Sequence, residues 1–264
     1  MLGLGNSASE NSECDVHNLR SLKLDGTNDN LNADNICSTL VAAFGDAEGI
    51  NTDLAFSIAM WVTVKTMSST GVAFNLRVGT NTDNHMNLQY HGSQNKIRWT
   101  CKFNGTAEVA ADGETSSSGL AENDGKWHHI VGTVADGGNC ELWINGVKRS
   151  THSVAQTLVG EVSQCNIGTN TTENNFWNGN VDEVGMWTRV LTDAEILAMS
   201  RGGGQLDIGP HSAYSTNLVA LYRFEDQNVS STTNEVTRAA GTAATHINAP
   251  TPSTDVPWEA NSSN

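Results

Sequence analysis

Residues 126–149, KWHHIVGTVADGGNCELWINGVKR, contain the strongest fold signal in this chain of 264 residues. Side chains at 127–134 alternate between two faces, which is the period of a β-strand. The two glycines in residues 136–139, DGGN, interrupt any ladder and predict a turn. The Asn-Gly pair at 145–146 suits a type I′ hairpin, which needs positive φ at both central residues. The stretch therefore predicts an antiparallel meander of three short strands.

The flanking sequence continues this β pattern, with apolar runs at intervals of about ten residues, typical of an antiparallel sandwich. Residues 56–64, FSIAMWVTV, carry an apolar side chain at every even position, so that face should meet a core. A short helix is predicted at 32–44, and Thr192 with Glu195 forms a capping box that begins another helix. Further strands are predicted at 21–24, 71–78, 86–91, 96–103, 107–111, 153–158, 164–168, 181–187, 217–226 and 243–248.

Three motifs together resemble laminin-G-like, concanavalin-A-like jelly-roll domains: the meander, the opening SLKLDGTND at 21–29, and GNVDEVGMWTRVLTDAEI at 179–196. The resemblance covers residues 20–226 and implies an all-β fold, a two-sheet antiparallel jelly-roll sandwich with one or two short helices. We assign this domain to residues 18–250. Polar composition predicts an N-terminal arm at 1–17 and an extended, Pro/Ser/Asn-rich C-terminal tail at 251–264.

Composition narrows the function. The chain has 29 acidic and 14 basic residues, a net charge of −15, so nucleic-acid binding is not expected. The charge is compatible with divalent cations, although solubility alone explains it as well. No apolar stretch reaches the length of a transmembrane helix, so membrane insertion is not expected. Without a C-x-x-C pair, most cysteines should be reduced and buried. They are Cys14, Cys37, Cys101, Cys140 and Cys165.

The sequence shows no catalytic constellation. Glycosidases need two carboxyl groups that face the sugar from one side, whereas the neighbours Asp182 and Glu183 should point to opposite faces of a strand. The adjacent His128 and His129 cannot chelate one metal ion for the same reason. No nucleophilic-serine, zinc-protease or phosphate-loop motif is present. The sequence therefore predicts a protein that is not an enzyme and has no catalytic residues.

Calcium is the one cofactor we expect. Asp182 occupies an even position of its strand, like the apolar Val184 and Met186, so its carboxylate should face the core. A buried charge of this kind needs a hydrogen-bond donor or a cation beside it. Backbone amides could supply this, which would make Asp182 purely structural. Alternatively, Asp182 could bind Ca²⁺ together with Asp25 and Asp29 of the first turn. The family resemblance supports the calcium hypothesis, because many laminin-G-like domains bind this ion, and both alternatives stay open.

A glycan site is predicted at Trp177, which lies in a polar loop beside Asn174 and Asn175. An indole ring can stack on a sugar, and amide groups can bind its hydroxyls. Trp61, Trp99 and Trp143 are weaker candidates, because most tryptophans of a sandwich belong to its core.

Two functions are open. The preferred one is a non-enzymatic virion structural protein of a tailed bacteriophage, a capsid decoration or a fibre/tail component, which also contacts host or environmental glycans. It would assemble in the host cytoplasm, form a homo-oligomer and bind other virion proteins. The absence of a signal peptide after Met1 favours this, because an adhesin needs an export route. The alternative is a carbohydrate-binding adhesin or lectin of bacterial origin, extracellular or at the cell surface.

Overall fold

A computed structural model describes residues 20–44, 46–47, 50–51, 54–67, 69–79, 83–104, 109–114, 120–135, 137–154, 158–170, 174–201, 213–225, 231–232 and 243–257. The predicted N-terminal arm, Cys14 and the last seven residues of the predicted tail lie outside these ranges. Within them the chain is mostly β-structure, as the sequence predicts.

The strands are β1 Ser21–Asp25, β2 Asn30–Asn32, β3 Asp46–Ala47, β4 Ile50–Asn51, β5 Ala55–Val62, β6 Thr70–Arg77, β7 His85–His91, β8 Lys96–Lys102, β9 Val109–Glu114, β10 His128–Ala135, β11 Asn139–Ile144, β12 Val147–Ser153, β13 Gln164–Ile167, β14 Asn178–Trp187, β15 Leu218–Tyr222, β16 Ser231–Thr232, β17 Ala244–Ile247 and β18 Thr251–Ser253. The helices are α1 Cys37–Phe44 and α2 Asp193–Arg201, with single 3-10 turns at Asp34–Ile36, Gly92–Gln94 and Ala213–Ser215.

Two eight-stranded antiparallel sheets form the sandwich. The first sheet runs β12-β11-β10-β5-β14-β1-β18, and β15 also pairs with β14. The second runs β16-β17-β2-β13-β6-β7-β8-β9, while β3 and β4 form a separate ribbon. The predicted tail thus begins with β18, whose three residues pair with β1. This confirms the two-sheet jelly-roll sandwich predicted from the sequence.

The meander occupies one side of the first sheet, as β10, β11 and β12. Asn145 and Gly146 have φ values of 52° and 75°, as a type I′ turn requires. Ile130 and Val134 of β10 lie in the core between the sheets. Gly132 lies between them, and a Cβ there would come within 2.5 Å of the Trp99 ring. The glycine therefore makes room for an indole from the opposite sheet.

The first sheet also has a covered outer face. Helix α2 buries Ile196 and Met199 against Trp143 and Trp187 of this sheet. The predicted capping box is formed: Glu195 N–H donates to Thr192 Oγ1 at 3.3 Å, and Thr192 N–H donates to Glu195 Oε2 at 2.8 Å. The sheet is consequently buried on both faces along much of its length.

One strand prediction and one helix prediction need correction. The predicted strand at 153–158 is absent in its described part, because β12 ends at Ser153 and Val154 lies outside any strand. Val154 N–H instead donates to Gly138 O at 2.9 Å, and the side chain enters the core. The predicted helix at 32–44 becomes helical from Asp34, because Asn32 still belongs to β2.

Four of the five cysteines are described, and all four are buried free thiols, as predicted. Cys101 and Cys140 face each other across the core with 3.4 Å between their sulfur atoms. Burial raises the pKa of Cys37 to about 12, and it also raises the pKa of Cys165 well above its usual value. In the part of the chain that the structure describes, no helix has the length and apolar character needed to cross a membrane.

Candidate functional site: a polar cleft at one end of the sandwich

A cleft of about 380 Å³ opens at one end of the sandwich, where three connections meet. These are the turn after β1, the connection from β5 to β6, and the loop that leads into β14. Hydroxyl and amide side chains predominate in its lining. The lining residues are Gly26, Thr27, Thr66, Met67, Ser69, Thr70, Asn174, Phe176 and Asn178.

The turn after β1 is held by Asp25. Its carboxylate accepts the backbone N–H groups of Thr27 and Asn28 at 2.8 and 3.2 Å, an Asx-type turn. These hydrogen bonds outweigh partial burial and lower the pKa of Asp25. Gly26 has a φ of 74°, and a Cβ there would meet Asn178 at 2.7 Å. A glycine is therefore required where the turn packs on the loop before β14.

The connection from β5 to β6 is fixed from outside the cleft. Glu122 accepts the Met67 N–H at 3.2 Å, and Asn123 accepts the Thr66 N–H at 3.3 Å. From the other side, the Asn178 amide donates to Thr66 O at 2.9 Å. The cleft wall is thus held by hydrogen bonds within the protein before any ligand binds.

The loop before β14 carries the predicted glycan residues, and here one prediction is corrected. Trp177 is fully buried in the core, and its Nε1–H donates to Thr63 O at 3.2 Å. Its ring has no face open to a ligand. The preceding Phe176 is half-buried and lines the cleft together with Asn174. Asn175 is half-buried and accepts the Val72 N–H at 3.0 Å through its backbone oxygen.

Phe176 is unusual among the aromatic residues. Every described tryptophan is buried, including Trp61, Trp99 and Trp143. Among all described aromatic residues, only Phe176 and Tyr214 are not buried, and Tyr214 packs against the cluster around α2. Phe176 therefore offers the cleft its one described aromatic surface.

The three predicted calcium ligands do not come together. Asp25 pairs with Asn178 on β14, whereas Asp182 lies four positions further along that strand, roughly 13 Å away. Asp29 is buried beside Asp25, and burial and the charge of Asp25 raise its pKa. Within the described ranges, no three carboxylate, thiol or imidazole groups are placed to hold a metal ion. Calcium binding itself stays a prediction.

Asp182 also lies on a different face from the one expected. A register shift between Asp182 and Gly185 interrupts the pairing of β14 with β5, and Glu183 has a φ of 46°. Such a bulge inverts the alternation of faces. Asp182 pairs with Trp61, on the outer face of the sheet, whereas Val184 lies in the inner core. The buried carboxylate accepts the Glu183 N–H at 2.8 Å.

The two histidines of the meander have separate environments. His128 Nε2 lies 3.1 Å from the Asp124 carboxylate, and its Nδ1 lies 3.2 Å from the Asn145 amide. His129 packs on Trp61 with 5.1 Å between ring centroids. Burial lowers the pKa of both, that of His129 to about 3. Neither histidine lines the cleft, and both are neutral parts of the packed sheet.

Fold and cleft together define a lectin-like β-sandwich, and the comparison with protein families agrees. The family model described as the concanavalin A-like lectin/glucanases superfamily, of laminin-G type, matches residues 38–197. The chain therefore belongs to this superfamily. No curated protein matches the chain.

Solved structures show the same fold at low sequence identity. A Bacteroides ovatus protein described as carbohydrate-binding superposes with a TM-score of 0.58 at 14% identity, covering 89% of this chain and 59% of that protein. A Ruminococcus gnavus sialidase domain, CBM40, bound to α2,3-sialyllactose, gives 0.53 at 12% identity, covering 68% and 95%. The NanB sialidase of Streptococcus pneumoniae gives 0.52 at 12% identity, covering 67% and 27%. These similarities establish the fold alone.

Proposed function

We propose that this chain is a non-catalytic, lectin-like carbohydrate-binding domain and that the cleft is its ligand site. One observation carries the proposal: the half-buried Phe176 ring lies among hydroxyl and amide side chains in an open cleft. The ring offers an apolar surface for the C–H face of a sugar, and the surrounding groups can donate to and accept from its hydroxyls. The volume of about 380 Å³ lies within the usual range of ligand pockets.

The arrangement of carboxylates supports a binding role over glycoside hydrolysis. Hydrolysis needs two carboxyl groups on either side of the scissile bond. Among the described residues that line the cleft, none carries a carboxylate. The buried pair Asp182 and Glu183 lies at the β14 bulge, away from this opening. The descriptions of the Bacteroides ovatus protein and the CBM40 domain, which both refer to carbohydrate binding, add support.

The comparisons favour this lectin role over the virion role preferred from the sequence. The structures reported above are described as carbohydrate-binding or sialidase proteins. Virion assembly, bacteriophage origin and a homo-oligomer stay predictions. Mass spectrometry of purified particles and light scattering of the purified protein would test them.

A binding experiment tests the proposal. The purified chain is applied to a panel of immobilised oligosaccharides and polysaccharides, and bound ligands are then titrated by calorimetry. Phe176→Ala should weaken binding about tenfold, or about 1.4 kcal/mol. Val147→Ala is the matched control, because Val147 is an exposed apolar residue, 48% accessible, in the meander hairpin. Absence of binding across the panel, or equal losses in both variants, would contradict the proposal.

A further inference from the structure

Among the described residues that line the cleft, none carries a charged side chain. They contribute hydroxyl groups, amides, one aromatic ring, one thioether and one glycine. The hydroxyls of Thr27 and Ser69, both on exposed residues, have no hydrogen-bond partner among the described residues. Such groups can donate and accept at once, which matches the paired donor and acceptor character of sugar hydroxyls.

Three acidic residues adjoin the described cleft lining. Asp25 immediately precedes the lining residue Gly26, and Asp29 is buried at the other end of the same turn. Glu122 holds the Met67 N–H from behind the cleft wall. Across the whole chain, acidic residues exceed basic ones by 15. An anion entering the cleft would therefore meet a negative field.

Two described basic residues near the cleft, a lysine and a histidine, need consideration. Lys65 directly precedes the lining residue Thr66 but is exposed and does not line the cleft. His91 Nδ1 lies 3.5 Å from Thr70 Oγ1. Burial is the main cause that lowers the His91 pKa, so this ring is neutral at neutral pH. Neither offers a sugar carboxylate the fixed, charged donors that proteins use to bind anions.

We propose that the cleft selects uncharged sugars and rejects sugars that bear a carboxylate, such as sialic and uronic acids; this deepens the proposed function and rests on it. A carboxylate would lose hydration on entering and find no cationic partner in the lining. A neutral sugar exchanges water for hydroxyl and amide partners without that cost. The distinction arises from the described lining as a whole rather than from a single side chain.

Matched probe pairs test this inference: lactose against α2,3-sialyllactose, and neutral galactan against polygalacturonate. The neutral member of a pair should bind, and its charged partner should bind at least about tenfold more weakly. Each titration is repeated in 1 M salt, where the Debye length is about 3 Å. Repulsion by distant charges fades there, so discrimination that arises in the cleft should persist.

A charge-reversal variant sharpens the test. Ser69→Lys places an ammonium group at the cleft wall and should bring the affinity for the charged partner to within about threefold of the neutral one. Ser153→Lys adds the same charge on an exposed residue of β12 and should leave the discrimination unchanged. Both variants should melt at the wild-type temperature.

The outcomes separate the two proposals. Equal or tighter binding of the charged partner by the wild-type chain would overturn the selectivity while leaving carbohydrate binding intact. Discrimination that vanishes in high salt, or that Ser153→Lys removes as well as Ser69→Lys, would assign it to the overall charge and overturn the inference. No binding of any probe by any variant would overturn the proposed function, and the selectivity with it.

Discussion

The meander of β10–β12 holds the histidines and tryptophans that suggest chemistry at first sight, whereas the cleft is lined mainly by threonine, serine and asparagine. In the structure, the two histidines and the tryptophan of the meander are closed to ligands, whereas the cleft is open. His128, His129 and Trp143 are all buried. Helix α2 covers Trp143, and the Lys148 ammonium lies 4.7 Å from its ring centroid.

The cleft differs because three chain connections leave a concave surface between them. No lining residue is distinctive in the sequence, and their combined chemistry arises only when the connections meet. A histidine or tryptophan in a sheet that is covered on both faces contributes to packing. A threonine, serine or asparagine in a loop at the end of that sheet remains accessible to a ligand.

The largest effect should come from the core beneath the meander. Trp99→Ala should lower the free energy of unfolding by about 3–5 kcal/mol. The indole fills the space above Gly132, and its Nε1–H donates to Thr133 O at 2.9 Å. Denaturant unfolding measures the loss, and Trp99→Phe should lose less. A loss under about 1 kcal/mol would show that the meander is not anchored through this ring.

Acid should destabilise the meander through His129. Burial lowers its folded pKa to about 3, whereas the unfolded value is 6.5. Below pH 6.5 the unfolded chain binds a proton that the folded chain excludes, so stability falls as the pH is lowered. This contribution is on the order of 3 kcal/mol between pH 7 and pH 4. Denaturant titrations at several pH values give the free energy of unfolding of the wild type and of His129→Leu. Above pH 6.5 the difference between the two should not change with pH. Below pH 6.5 the wild type should lose stability with falling pH more steeply than His129→Leu. Identical pH profiles would contradict a buried, neutral His129.

The two turns of the meander offer a smaller, matched comparison. Gly146 and Gly137 both have positive φ, 75° and 57°. A Cβ on Gly146 would approach Ser200 Oγ of α2 to 2.3 Å, whereas one on Gly137 would meet nothing within 4 Å. Each alanine variant should lose about 1–2 kcal/mol from backbone strain. Thermal melts should show a greater loss for Gly146→Ala, and equal losses would show that the hairpin does not press on α2.

The smallest stability effect should come from the cleft. Thr27→Val should change the free energy of unfolding by less than about 0.5 kcal/mol, because Thr27 is exposed and its hydroxyl has no hydrogen-bond partner among the described residues. It should nevertheless weaken sugar binding several-fold, since a hydroxyl contact contributes about 1 kcal/mol. Thr251→Val, on an exposed residue of β18, should affect neither property. A stability loss without a change in affinity would place Thr27 with the structural residues.

Much of the fold was predictable from local patterns. The alternation in β5 and β10, the Asn145–Gly146 turn and the Thr192–Glu195 capping box all form as expected. The short strands β2, β16 and β18 were not predicted. Their few, largely polar residues carry little periodic signal, and they are placed by backbone pairing with neighbouring strands.

The candidate site was predictable only in part. The sequence pointed to residues 174–177, of which Asn174 and Phe176 line the cleft, whereas Trp177 is buried in the core. A signal for the burial of Trp177 existed, because Trp177 and the core residue Val181 are both odd-numbered positions on the approach to β14 and should face the same side. For Asp182 the same argument from alternation failed. The bulge between Asp182 and Gly185 moves the Asp182 side chain to the other face of the sheet, and the hydrophobic pattern of the sequence does not reveal the bulge.

The sequence by itself determined the class of fold, because alternation, turns and caps act between residues close along the chain. Only the tertiary structure decided what is open and what is covered, since that depends on segments far apart in sequence. It buried Trp177 and the meander histidines, separated Asp182 from Asp25, and brought Thr27, Ser69 and Phe176 into one cleft.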